Sequence, residues 1–91
     1  MYQIYITNKF EKDLKKICKH KDFSPHKLQE VIDILEAGII IDSKYKNHRL
    51  HGSLSDTYDL HIQNDLILLY EKDEEIRLIA LIRLNNHSEL F

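Results

Sequence analysis

The stretch that decides the fold is residues 58–70, YDLHIQNDLILLY. Its first half alternates apolar and polar side chains, which is typical of a half-buried β-strand. Asn64 and Asp65 follow, and both residue types favour turns because they tolerate left-handed backbone. Residues 66–69 are all apolar, as in a central strand that is covered on both faces. The stretch therefore predicts a β-hairpin that holds His61 beside Asp65, close to a tight turn.

Two amphipathic helices are predicted between an N-terminal strand and this hairpin. The first carries apolar residues at helical spacing and a lysine-rich opposite face, and Thr7 or Asn8 can cap it. The second has clear boundaries, because Ser24 suits the N-cap, Pro25 the first turn and Gly38 the C-terminal cap. The short connection between the two helices predicts an antiparallel pair.

The order of these elements predicts an α+β fold. Strands are expected at residues 2–6, at residues 48–51 and at residues 76–84, and the last of these is apolar on both sides and therefore central. Asn85-Asn86 is expected to end it. We expect the helix pair to pack on one face of a mainly antiparallel sheet of four to five strands, with the other face open. Residues 1–91 have the length of a single domain with a small core.

Two further apolar features are expected to be buried. Cys18 is the only cysteine, so no internal disulfide forms, and we expect a small core residue in a reducing cytoplasm. Residues 39–41 are three consecutive isoleucines in the connector, and we expect them against the core. No apolar run approaches the roughly 20 residues that cross a bilayer, and the start lacks a signal-peptide pattern. A cytoplasmic protein with no membrane contact is therefore predicted.

The charge is unevenly divided along the chain. The net charge is −2, but residues 1–48 carry +2 and residues 49–91 carry −4. A nucleic acid would therefore need a local basic patch, such as residues 9–21 together with Lys44, Lys46 and Arg49. The alternative is an ordinary solvated helix surface, which composition alone favours.

Four side chains at strand ends or turns could carry chemistry: His48, His61, Asp65 and His87. Singly, each histidine also fits a structural role, as a surface turn, a half-buried sheet position or a tail residue. Together they permit metal-free proton transfer, because imidazoles titrate near neutral pH. A zinc site made of histidines and an aspartate is a weaker alternative, because no paired ligand spacing such as HExxH or CxxC is present.

Three segments carry a resemblance to a known family. They are residues 48–52 (HRLHG), residues 61–70 (HIQNDLILLY) and residues 83–91 (RLNNHSELF), of which the HSELF ending is the most specific. In these segments, and in the order of its elements, the chain resembles the YafQ branch of the RelE/ParE superfamily of bacterial toxins. The resemblance implies a small endoribonuclease that cuts messenger RNA on the ribosome and is held inactive by a cognate antitoxin. It implies no cofactor and no metal.

The resemblance also implies active-site roles for His48, His61, Asp65, His87 and Phe91. One group would remove the proton of a ribose 2′-OH, and another would protonate the departing 5′ oxygen, which leaves a 2′,3′-cyclic phosphate. His87 fits the acid, and Asp65 with His61 could form the base, although the two roles stay open. Phe91 would offer a stacking face to a base.

Other positions would bind the RNA itself. Arg83, together with His48, could hold the phosphate, and the RNA-binding set is completed by Arg49, Lys44 and Lys46. One departure stands at Tyr58, where the family commonly has an arginine, and the loss of a two-pronged phosphate contact predicts weaker RNA affinity or an altered target. The alternative function is a non-catalytic binder on the same scaffold, which inhibits a protein target such as gyrase or only binds its antitoxin.

Overall fold

The computed structural model describes residues 1–49 and 57–90. In chain order the elements are β1 (Gln3–Ile6), α1 (Asn8–Ile17), α2 (Pro25–Ala37), a 3₁₀ turn (Ser43–Tyr45), β2 (His48–Arg49), β3 (Thr57–Gln63), β4 (Leu66–Asp73), β5 (Leu78–Asn86) and α3 (His87–Leu90). The strands form one sheet in the order β1-β5-β4-β3-β2, in which β1 pairs with β5 in parallel and the other described pairs are antiparallel. The predicted α+β class and the central hairpin are confirmed.

Both long helices begin where the sequence predicts, and α2 also ends at the predicted cap. The Thr7 hydroxyl caps α1 by accepting a hydrogen bond from Phe10 N at 3.2 Å, and Ser24 caps α2 in the same way. Gly38 ends α2 in the left-handed conformation, with φ of 73°. A Cβ at this position would also lie 3.2 Å from the ring of Tyr2, so both backbone and space favour glycine. The antiparallel packing of the two helices stays a prediction.

The core lies on one face of the sheet. Leu60, Leu68 and Leu84 are in register on β3, β4 and β5, and all three are fully buried. Apolar side chains of both helices join them in one cluster: Phe10, Leu28, Val31 and Leu35. Burying a leucine of this kind stabilises the fold by about 1.5–3 kcal/mol, so this face supplies most of the hydrophobic stabilisation.

The opposite face of the sheet, which we call the outer face, carries the alternate residues of the same strands. These are chiefly Asp59, His61, Ile67, Leu69 and Arg83. Ile67 is 0% exposed although it is not part of the main core cluster. The expectation of a wholly open second face is therefore wrong at this position.

Two apolar predictions are corrected by the structure. Ile40 is 94% exposed and Ile39 is also exposed, while only Ile41 packs against the core. The left-handed turn at Gly38 directs the chain away from the core, so the first two isoleucines emerge into solvent. Cys18 is exposed as well, because it lies about 100° around the helix from the core-facing Ile17.

The strand boundaries also differ from the prediction. β5 runs through Asn85 and Asn86, which pair with Ile67 and Leu66, whereas Ile76 is exposed in the preceding turn. Ladder pairing overrides the low strand propensity of asparagine. β2 is described only as far as Arg49, so the rest of the strand predicted at residues 48–51 lies outside the described residues. Within the described part of the chain, no helix is long and apolar enough to cross a membrane.

Candidate active site on the outer face of the sheet

One row of the outer face brings together a histidine, an aspartate and an arginine. His48 on β2 pairs with Asp59 on β3, which pairs with Leu69 on β4, which in turn pairs with Arg83 on β5. Directly paired residues project on the same side of a sheet. His48 Nδ1 lies 3.4 Å from Asp59 Oδ1, and the histidine side chain is 65% exposed while that of the aspartate is 13% exposed. The row therefore offers an accessible imidazole next to a sheltered carboxylate.

His61 occupies the next row of the same face. It lies two residues from Asp59 on β3, so the two side chains project on one side about 7 Å apart. It is half-buried and pairs with Ile67, which pairs with Asn85. The β3–β4 register shifts directly after His61, and such bulges re-aim side chains and occur often beside active sites. His61 is thus half-buried in the sheet, a position that fits both the structural and the catalytic interpretation of the sequence.

Asp65 and His87 lie at the same end of the sheet. Asp65 lies in the β3–β4 turn, where Asn64 adopts the left-handed conformation with φ of 42°. The next residue, Leu66, pairs with Asn86, and His87 follows directly as the first residue of α3. The turn and the start of α3 therefore lie at the same end.

The short helix α3 is fixed by its own cap. Asn86 Oδ1 accepts hydrogen bonds from the Glu89 backbone N–H and from the Ser88 hydroxyl, both at 2.9 Å. Asn86 N–H in turn donates to Asn85 Oδ1 at 2.8 Å. The two asparagines thus connect β5 to α3 without a loop, and their hydrogen bonds fix the first turn of the helix that starts at His87.

Arg83 is held by Asp13 of α1, which lies at the edge of β5. Its Nε donates to Asp13 Oδ2 at 2.6 Å, its Nη2 donates to Oδ1 at 3.2 Å, and Leu84 N–H donates to Oδ2 at 2.9 Å. β1 stops pairing with β5 at Leu81, so Asp13 takes over the free edge of β5 beyond that point. Burial alone would raise the pKa of Asp13, but the hydrogen bonds from Arg83 and Leu84 outweigh it and leave the pKa below its usual value.

The predicted RNA-binding side chains outside this row precede or occupy β2. Lys46 adopts a left-handed conformation with φ of 49° and, with His48, lines a hollow of about 650 Å³. Lys44 lies over the Tyr45 ring, 5.1 Å from its centre. Arg49 lines a different hollow, whose other residues include the acidic side chains at the end of β4. Lys46 therefore lies beside His48, Lys44 lines a separate hollow with Ile62 of the core cluster, and Arg49 shares its hollow with acidic groups.

The candidates do not share a single cavity. His48 belongs to the hollow beside Lys46, while Asp65 lines a hollow of about 250 Å³ at the other end, together with Asn85 and Asn86. Across residues 1–49 and 57–90, no group of three His, Cys, Asp or Glu side chains is arranged to hold a metal ion. Phe91 lies outside the described residues. His48, Asp59 and His61 thus lie along the outer face, and Asp65 and His87 lie at one end of the same sheet, a set that we call the strip.

Comparison with known proteins decides the family. The model of the family described as "Bacterial toxin of type II toxin-antitoxin system, YafQ" matches residues 2–91. The chain belongs to the YafQ family. Over 90 residues it is 31% identical to the mRNA interferase toxin YafQ of Escherichia coli strain K12, a match that covers 97% of this chain and 94% of the relative.

Solved structures extend the similarity to the fold. A metal-bound toxin from Helicobacter pylori is 37% identical and superposes with a TM-score of 0.89, with 100% of both chains covered. The E. coli DinJ–YafQ complex is 27% identical with a TM-score of 0.88, and the match covers 100% of this chain and 99% of that one. The resemblance to YafQ toxins that the sequence motifs indicate is confirmed.

The position that departs from the YafQ pattern faces away from the histidines. Tyr58 projects on the core side of β3, where its ring stacks on Tyr70 with centres 5.3 Å apart and planes inclined by 11°. The Tyr70 hydroxyl donates to Asn47 Oδ1 at 2.8 Å, and burial raises the pKa of Tyr70 well above its usual value. Asn47 precedes His48. The departure at Tyr58 thus concerns the support of β2 rather than the face that carries His61.

Two aspartates of the site were not found by sequence reasoning. Asp59 lies on the same strand face as His61, two residues away, and this shared face is the signal that points to it. Asp13 stands three residues after Phe10 on the apolar stripe of α1, where a charged residue indicates a buried partner. That partner, Arg83, is 70 residues away in sequence.

Proposed function

We propose that the chain is the toxin of a type II toxin–antitoxin pair and acts as a metal-independent endoribonuclease on messenger RNA, in association with the ribosome. The proposal rests on the strip. His48, Asp59 and His61 lie on the outer face of paired strands, and Asp65 and His87 lie at one end of the same sheet. The name of the E. coli relative, mRNA interferase toxin, supports the same activity.

The proposed reaction needs only proton transfers. A base removes the proton of a ribose 2′-OH, the oxygen attacks the adjacent phosphorus, and the bond to the 5′ oxygen breaks as an acid protonates that oxygen. The products are a 2′,3′-cyclic phosphate and a 5′-hydroxyl end. His87 serves as the acid at the end of the sheet, and His61 with Asp65 forms the base. Phe91 adds a stacking surface, a role taken from the resemblance alone.

Positive side chains would hold the RNA backbone beside this strip. Asp13 occupies Nε and Nη2 of Arg83, so Arg83 would meet a phosphate through Nη1, from a fixed position. Lys46, which lines the hollow beside His48, would extend the contact on the β2 side. Arg49 and Lys44 stay predictions of the sequence, because Arg49 pairs with the core-facing Tyr58 and Lys44 lines a hollow with Ile62 of the core cluster. Phosphate contacts of this kind make RNA affinity fall as the salt concentration rises.

The partner that restrains the toxin would be a cognate antitoxin, as DinJ is for the E. coli protein in its complex. Four lysines of the first helix and its C-terminal end are exposed: Lys12, Lys15, Lys16 and Lys19. An acidic antitoxin segment that folds on binding would use them for rapid encounter. Residues 1–91 would act as one toxin domain, and its site of action would be the cytoplasm, where the messenger RNA is translated.

The experiment is induction of the wild-type chain in bacteria without the antitoxin, beside the variants His61→Ala, His87→Ala and His26→Ala. His26 is an exposed histidine of α2 and provides the matched control. We expect the first two variants to lose messenger RNA cleavage by a factor of about 10²–10⁴, while His26→Ala cleaves like the wild type. The upstream fragments should carry 2′,3′-cyclic phosphates.

Two results would overturn this function. Growth arrest with intact messenger RNA would support a non-catalytic binder in its place. Elemental analysis that found stoichiometric zinc or copper in the active protein, with cleavage lost when that metal was removed, would contradict metal independence.

A further inference from the structure

Asp59 has one carboxylate oxygen that is buried in the sheet. Its Oδ1 is fully enclosed and accepts no hydrogen bond from the residues that the structure describes. A buried carboxylate oxygen without a donor is unfavourable, and such groups are rare in native proteins. His48 Nδ1 lies 3.4 Å from this oxygen, slightly beyond the usual hydrogen-bond range of about 2.7–3.2 Å.

The backbone fixes this pair face to face. His48 and Asp59 are direct cross-strand partners on β2 and β3, so their Cβ atoms lie about 4.5–5.5 Å apart. The aspartate is sheltered and the histidine is exposed, so the carboxylate is the fixed member and the ring is the movable one. A small rotation of the imidazole would bring Nδ1–H into a full hydrogen bond.

The segment before His48 is held independently. The buried Tyr70 hydroxyl binds the side chain of Asn47 at 2.8 Å, and the chain turns at Lys46 in the left-handed conformation. The backbone of β2 is therefore set by Asn47, while the ring of His48 has one further degree of freedom, its own rotation. Asp59 is the group placed to fix that rotation.

We infer that Asp59 is a positioning residue that fixes the orientation and tautomer of His48. The carboxylate accepts a hydrogen bond from Nδ1–H, so the neutral ring carries its proton on Nδ1 and presents the lone pair of Nε2 away from Asp59, to a ligand on the outer face. Nε2 then accepts a hydrogen bond from a hydroxyl group of the RNA, a role different from the phosphate contact that the resemblance implies for His48. The inference rests on the proposed nuclease function for its consequence, but the tautomer itself is a property of the free protein.

The test is the tautomer of His48, read from long-range ¹H–¹⁵N spectra of the free protein at alkaline pH, where imidazoles are neutral. His48→Gln assigns the signals, because it removes one set. We expect the Nδ1–H form in the wild type and in Asp59→Glu, and a shift towards the Nε2–H form in Asp59→Asn. Asp33→Asn, which changes an exposed aspartate of α2 bonded to Gln29, should leave the spectrum unchanged.

Kinetics give the second readout. On ribosome-bound messenger RNA, Asp59→Asn should lower kcat by about tenfold to a hundredfold with KM nearly unchanged, as for other groups that orient a histidine. Asp59→Glu should recover part of the rate. Asp33→Asn should match the wild type.

Each outcome bears on a separate claim. A wild-type His48 in the Nε2–H form overturns the inference even if Asp59→Asn fails to fold. A lower kcat with an unchanged tautomer also overturns it, because Asp59 would then act only on the structure. A tautomer that depends on Asp59 in a protein without nuclease activity would leave the inference standing and refute the proposed function.

Discussion

Two sheltered aspartates contact or belong to the sheet, and their surroundings differ sharply. Asp13 reaches the edge of β5 from α1, its side chain is 8% exposed, and both of its oxygens accept hydrogen bonds from Arg83 or Leu84. Asp59 lies within the sheet, and one of its oxygens is buried with only the loose contact to His48. Both carboxylates therefore face a basic side chain, but within residues 1–49 and 57–90 only Asp13 has hydrogen-bond donors for both of its oxygens.

The difference indicates a structural role for Asp13 and a functional role for Asp59. β1 stops pairing with β5 at Leu81, and beyond that point Asp13 accepts the hydrogen bond of the β5 edge. Its three hydrogen bonds therefore hold α1 to the sheet. Oδ1 of Asp59 accepts no hydrogen bond from the described residues and lies beside the exposed imidazole of His48. Buried polar groups are nearly always satisfied, so an incomplete one next to candidate catalytic residues indicates function. Mutation of the two aspartates should therefore affect different properties.

The largest effect on stability is expected from Asp13→Ala. The change leaves Leu84 N–H without its acceptor and Arg83 without its partner, so we expect the free energy of unfolding to fall by about 2–3 kcal/mol. Urea denaturation followed by circular dichroism measures the change. Asp33→Ala is the exposed control and should stay within about 0.5 kcal/mol of the wild type. Equal effects of the two substitutions would show that Asp13 is not a structural anchor.

A second prediction concerns acid. The pKa of Asp13 in the folded protein lies below its ordinary value of 3.8, so its ionised form favours folding. This contribution is complete above the ordinary value and is lost as the pH falls through the lowered one. The difference in stability between the wild type and Asp13→Asn should therefore shrink as urea titrations move from pH 6 into that range. If the difference in stability grew as the pH fell, the pKa of Asp13 would be raised in the folded protein and not lowered.

A smaller effect is expected where β2 is held near Asp59. Tyr70→Phe removes the hydrogen bond to Asn47 but keeps the ring that stacks on Tyr58, so we expect a loss of about 1 kcal/mol in the free energy of unfolding. Amide hydrogen exchange should rise at His48 and Arg49 more than in β4. Tyr5→Phe, at an exposed position of β1, is the control. Unchanged exchange in β2 would show that Asn47 is held by other groups.

The two aspartates also differ from the helix caps in how well the sequence predicts their contacts. The hairpin and the caps at Thr7, Ser24 and Gly38 were predictable, because each depends on neighbours a few residues away. The pair of Asp13 with Arg83 was not, because it joins residues 70 positions apart across a sheet edge. Long-range contacts depend on strand order and register, which side-chain patterns specify only in part.

The candidate site follows the same division. His48, His61 and His87 could be singled out by residue type and by resemblance, since their chemistry is visible in the sequence. Their arrangement could not, because it depends on which residue of β3 stands opposite His48, and a shift by one residue would replace Asp59 with Tyr58. Similarly, the exposure of Ile40 follows from the direction in which the chain leaves α2, and local hydrophobicity does not encode that direction.

The smallest effect on stability, and the sharpest test of the comparison, is expected from Asp59→Asn. The substitution keeps the shape of the side chain and removes a buried charge whose Oδ1 has no hydrogen bond, so little favourable interaction is lost. The amide must still place its own N–H groups beside His48, and we expect the two effects to leave the free energy of unfolding within about 0.5 kcal/mol of the wild type. Urea denaturation at neutral pH, run beside Asp13→Asn, measures both aspartates with one chemical change. A loss at Asp59 as large as that at Asp13 would mean that its carboxylate holds the sheet together, and the contrast between a structural and a functional aspartate would disappear.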